Sequence, residues 1–173
     1  MTKLLRILVI VLFTCACGNK VLIKDKHEFY GRIYDSTCQD YKPKDLGLIT
    51  LEGYLTIFDN EKWSYNYWEE FNSKNYRFTD LEVLDKNNSM YLTISVCPNS
   101  LSTYQFEIGI GTHNEEIKNN EIKVKRKIKI YATGSNDPKI PRKIIELFFE
   151  REYDKIEGEL DKMFLMEETD DLY

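Results

Sequence analysis

Three stretches of strict two-residue alternation constrain this chain more than any other feature. Met90, Leu92, Ile94 and Val96 alternate with Tyr91, Thr93 and Ser95. Tyr104, Phe106, Ile108 and Ile110 alternate with Gln105, Glu107 and Gly109. Ile122, Val124, Ile128 and Ile130 alternate with Lys123, Lys125, Lys127 and Lys129. Successive side chains of a strand point to opposite sides, so each stretch predicts a half-buried strand. Between them lie Pro98-Asn99-Ser100 and Lys118-Asn119-Asn120, residues that favour turns. Connections this short join antiparallel neighbours, because a parallel crossover needs a dozen residues or more.

The remaining elements are read around those three strands. Phe29–Tyr34 is a first strand, and residues 35–47, with Pro43, form a loop. Ile49, Leu51, Leu55 and Ile57 alternate with Thr50, Glu52, Tyr54 and Thr56, which predicts a strand over 49–57. Residues 76–84 make a weaker strand, broken after Phe78. Near the end, Asp137-Pro138 and Pro141 mark a helix start. Ile144, Ile145, Phe148, Phe149, Ile156, Leu160, Met163 and Phe164 then recur at three- and four-residue steps, the apolar stripe of an amphipathic helix over about 138–166. Gly158 weakens that helix by about 1 kcal/mol relative to Ala, and the acidic tail 167–173 is expected to fray. The expected fold is a single α+β domain over 27–173: an antiparallel meander of about six strands with one long C-terminal helix packed on a face. The second architecture is a closed barrel. It resembles the lipocalin family in its meander and late helix, although Gly-x-Trp is missing near the first strand and no strand is expected after the helix.

The first twenty residues follow a different logic. Lys3 and Arg6 precede an apolar run from Ile7 to Phe13, and Ala16-Cys17-Gly18-Asn19 follows. The run is too short for a membrane-spanning helix, which needs about 18 apolar residues or more, and fits a signal segment. A small residue followed by cysteine after such a run resembles the lipobox of bacterial lipoproteins, with Cys15 as a second position. The resemblance implies a signal peptide over 1–16, cleavage before Cys17, fatty acyl chains including palmitate on Cys17, and a tether over 17–26. Two or more acyl chains anchor a protein stably where one is marginal. The resemblance also implies a place in the cell envelope, with Gly18 favouring an outer membrane over retention at the inner one, facing the periplasm or the cell surface.

Removing Lys3 and Arg6 with the signal lowers the basic residues from 24 to 22 against 29 acids, a net charge of −7. Such a chain is a poor nucleic-acid binder through bulk charge. After processing, Cys38 and Cys97 remain beside the lipidated Cys17. In an oxidising compartment the pair is read as a disulfide contributing about 4 kcal/mol. Two buried thiols are the other reading.

Two clusters are candidates for binding. Lys123, Lys125, Lys127 and Lys129 share one face of their strand, which makes either a basic ridge for an acidic partner or a guard against sheet-to-sheet pairing. Trp63, Tyr65, Tyr67 and Trp68 lie in an aromatic stretch flanked by Glu69 and Glu70. As a strand it would show Trp63, Tyr65 and Tyr67 on one face, to stack on a sugar or anchor a partner, or simply to pack. No catalytic residue, metal set or cofactor motif stands out. His27 and His113 are isolated, His113 in an expected hairpin loop, and Gly109-Ile110-Gly111 lacks the rest of a dinucleotide loop. A hydrolase would need titratable groups converging in a cleft. The sequence therefore predicts a non-enzymatic envelope lipoprotein that binds a protein partner, for example to neutralise a toxin. A small-ligand or glycan binder is the alternative.

Overall fold

A computed structural model describes residues 29–35, 38, 42–73, 78–100, 103–118 and 121–172, with the backbone alone at 115–118, 121–124 and 171–172. The signal segment 1–16, Cys17, the tether 17–26 and His27 lie outside the described residues.

Among the described residues, seven strands and four helices follow in the order β1 (Phe29–Tyr34), β2 (Lys44–Leu48), α1 (Leu51–Asn60), α2 (Trp63–Ser73), β3 (Asp80–Asp85), β4 (Met90–Ser100), β5 (Thr103–Lys118), β6 (Glu121–Ala132), α3 (Lys139–Phe149), α4 (Tyr153–Leu160) and β7 (Phe164–Leu172). The strands form one antiparallel sheet in the order β2-β1-β3-β4-β5-β6-β7. This corrects the expected six-strand meander with a single long C-terminal helix, and the expected loop over 35–47 contains β2. The sheet runs from β2 at one edge to β7 at the other, so it is not the closed lipocalin-like barrel.

Each difference has a local cause. Residues 49–57 were expected as a strand, but Leu51 and Leu55 fit a four-residue step as well as a two-residue one. Thr50 settles the choice: its hydroxyl accepts the Gly53 N–H at 3.2 Å and caps α1. The helix then buries Tyr54 and Phe58, four residues apart. In α2 the same spacing sends Trp63, Tyr67 and Glu70 inward. The expected C-terminal helix breaks at Arg151, whose φ of 61° is left-handed. Its guanidinium donates to the wholly buried Asp85 carboxylate, Nε at 2.7 Å and Nη2 at 3.3 Å, and lies 5.1 Å from the Phe29 ring centre. Tyr153 donates to the same carboxylate at 2.6 Å. Pairing with this buried charge outweighs the cost of one αL residue, so the chain turns.

All four helices pack on one face of the sheet. Tyr54, Phe58, Tyr67, Ile144, Phe148 and Ile156 share a core with Leu81, Val83, Leu92, Ile94, Phe106 and Ile108. Each such side chain contributes about 1.5–3 kcal/mol when fully buried. The opposite face is shaped by two absent side chains. A Cβ on Gly109 would lie 2.3 Å from Thr93 Cγ2, and one on Gly111 would lie 1.7 Å from Lys127 O. With no side chain at these two positions, β4 and β6 lie close against β5 there. None of the described helices is long and apolar enough to cross a membrane.

Candidate functional site

The β7 edge holds the most contiguous exposed apolar surface among the described residues. Phe164 is 73%, Leu165 45% and Met166 46% exposed. The pairing of β6 with β7 passes from Ile130↔Glu167 to Tyr131↔Leu165, skipping Met166, so β7 bulges there. On its other side β7 has no neighbouring strand among the described residues. Its outward backbone groups and three apolar side chains form a platform that a strand could extend. Beyond Met166 the edge is acidic, with Glu167, Glu168, Asp170 and Asp171.

The lysine stripe meets those acids. Lys129 pairs in register with Glu168 and Lys127 with Asp170, and Lys127 Nζ lies 3.4 Å from Glu168 Oε1. Exposed cross-strand pairs of this kind contribute about 0.2–1 kcal/mol each. Lys125 is exposed, and Lys129 also borders a recess of about 230 Å³ against Tyr153, Ile156 and Leu160 on α4. Lys123 sits in β6 at a position whose side chain is not described. The stripe is therefore matched in part by the chain's own tail, which the structure orders as a strand.

The aromatic stretch is divided rather than gathered. Because α2 is a helix, Trp63 and Tyr67 turn into the core, Trp68 is half-buried, and Tyr65 alone is exposed, at 61%. This corrects the shared face of Trp63, Tyr65 and Tyr67. The Trp63 indole N–H donates to Phe58 O at 3.0 Å, and its ring lies 5.4 Å from both Phe58 and Phe106. Beside Tyr65, a groove of about 550 Å³ runs between the α1–α2 corner, Tyr104 and Pro138.

A third site lies on the face away from the helices. Glu82, Tyr91 and His113 are buried there, with Glu82 and His113 only 4% and 5% exposed. His113 is thus in a strand and enclosed, not in a solvated loop. Tyr91 donates to Glu82 Oε1, and Arg126 Nη1 lies 3.8 Å from that oxygen. Arg126 crosses 4.8 Å from the Tyr91 ring centre and donates from Nε to His113 Nδ1 at 3.0 Å. That bond leaves the imidazole proton of a neutral His113 on Nε2. Thr93 donates to Asp80, whose carboxyl is pushed up to about 7 by burial and the nearby Glu82. Burial also raises Glu82, against the opposing pull of Tyr91 and Arg126. Titratable groups do converge here, yet the space among them is about 10 Å³, room for one water at most. The cluster is a clasp of side chains that ties together β3, β4, β5 and β6. Sequence reasoning missed it, and the paired glycines 109 and 111 were its one visible sign.

The two thiols are not bridged. Cys38 donates to Ile33 O and to Asp35 Oδ1, each at 3.7 Å, and accepts the Asp35 N–H at 3.4 Å. Its sulfur thus faces its own turn. Cys97 sits on β4, where burial and then Glu107 push its thiol up to about 12. Such a thiol is inert at neutral pH. Among the described residues, His, Cys, Asp and Glu form no metal-binding group. Comparison with protein-family models, with curated proteins and with solved structures finds no match.

Proposed function

We propose that the chain is a lipid-anchored protein of the bacterial cell envelope, non-enzymatic, that binds a protein partner by adding a strand of that partner to β7. The observation that carries this reading is Phe164-Leu165-Met166, exposed together at an open sheet edge. Apolar edges are usually blocked by charge or covered, because they recruit other chains. Here charge begins only at Glu167. The neighbouring acids select the partner: an extended segment with apolar residues to meet 164–166 and basic residues to meet Glu167, Asp170 and Asp171. A second copy of this chain would bring the same acids to the edge and be repelled. Lipid on Cys17, read from the lipobox resemblance, would hold this surface at the membrane.

The test places a photo-crosslinking residue at Leu165 and, as a control on the opposite edge, at Leu48, in full-length protein in its native envelope. A protein cross-linked from Leu165 and not from Leu48 is expected, with a basic segment at the cross-link. Met166→Pro, at the position that β6 skips, should abolish it while leaving unfolding unchanged. Equal capture from both edges, or capture that survives Met166→Pro, defeats the reading. Fatty-acid labelling lost in Cys17→Ala checks the anchor separately.

A further inference from the structure

We propose that the groove beside Tyr65 is a second binding site, for a neutral saccharide, independent of the β7 edge. Its volume of about 550 Å³ lies within the range of small-ligand sites. The walls are apolar and rigid. Phe58 and Trp63 are buried ring against ring, and Tyr104 packs edge-on to Phe106 at 5.8 Å. Tyr65 stands out from this wall on a well-formed helix, presenting a ring that nothing in the core requires.

The polar groups around that ring decide the ligand class. Glu61 is held in place, since Asn66 Nδ2 and Thr79 Oγ1 both donate to its Oε1, the latter at 3.0 Å. Asp59 is neutralised by Arg142, whose Nη1 reaches both carboxylate oxygens at 2.6 and 2.5 Å. Lys62 and Ser64 are exposed donors on the rim. A purely apolar ligand would strip water from Glu61 and Lys62 without replacing it, which is costly. A ligand of either net charge would face one attractive and one repulsive charge. A neutral polyol satisfies donors and acceptor together, and lays the C–H face of a sugar ring on Tyr65. The Trp63 N–H is already spent on Phe58 O, so Trp63 offers ring surface only.

The test titrates full-length protein, in a detergent without a sugar head group, with tetrasaccharides of glucose, mannose and N-acetylglucosamine. Acidic oligogalacturonate and basic glucosamine oligomers serve as charged probes. Saturation-transfer NMR and calorimetry provide the readouts. At least one neutral tetrasaccharide should bind. Tyr65→Ala should weaken it about tenfold, the scale of one lost ring contact, and Tyr65→Phe should keep it. Tyr65 is exposed, so neither variant threatens the fold. The proposal is overturned if no neutral tetrasaccharide binds, if only charged oligomers bind, or if Tyr65→Ala binds as well as the parent.

Discussion

The two faces of the sheet are held by different physics. Apart from the buried Asp85–Arg151 pair, the helix-covered face is dry: Tyr54, Phe58, Phe148 and Ile156 meet Leu81, Ile94 and Ile108, and the stability of these contacts scales with apolar area and fit. The opposite face carries none of the described helices, yet Glu82, Tyr91 and His113 are enclosed as well. There the cover is made by side chains, with Arg126 laid across Tyr91 toward Glu82. Apolar contacts tolerate changes of pH, whereas contacts built from Asp80, Glu82 and Arg126 do not.

Four substitutions sharpen that contrast. Phe148→Ala, on the dry face, should cost about 3–5 kcal/mol, with a loss in urea unfolding that is the same at pH 5 and pH 8. A loss that varied with pH would break the distinction. Arg126→Ala should cost about 3 kcal/mol, since it leaves Glu82 buried and uncompensated. Joining it to Glu82→Gln should recover much of that loss, and a double variant no better than the single would dissociate the pair. The smallest effect is a gain. Asp80 titrates near 3.8 when unfolded and near 7 when folded, so the folded state holds the proton more tightly. Its favourable contribution is complete below about pH 4, drains away as pH rises toward 7, and is gone above it. Asp80→Asn removes this slope while still accepting from Thr93. It should stabilise the protein by about 2 kcal/mol at pH 8 and by less at pH 5. Equal midpoints for variant and parent at pH 8 would contradict the assignment.

What could be read from the chain depended on whether one face was buried and the other wet. β4, β5 and β6 satisfy that condition over much of their length, and their alternation announced them. Leu51 and Leu55 fit two periods at once, and the deciding signal was the cap at Thr50, outside any periodicity. β7 was illegible for a different reason. Phe164 completes the apolar stripe of α3 and α4, and Glu167 to Asp171 resemble a solvated tail. The clue was complementarity: acids at 168 and 170 have the same two-residue spacing as Lys127 and Lys129. Of the candidate site residues, Tyr65 keeps an exposed ring, while Trp63 and Tyr67 were claimed by the core once the segment became a helix. The clasp depends on the register of four strands, which no local window contains.

The position of β1 carries a mechanical consequence. It lies between β2 and β3, paired on both sides, and Phe29 is where the chain passes to its N-terminal segment. Tension arriving along that segment pulls β1 lengthwise, so both ladders are loaded in shear and must yield together. Had the outermost strand taken the load, its bonds would have opened singly, like a zip.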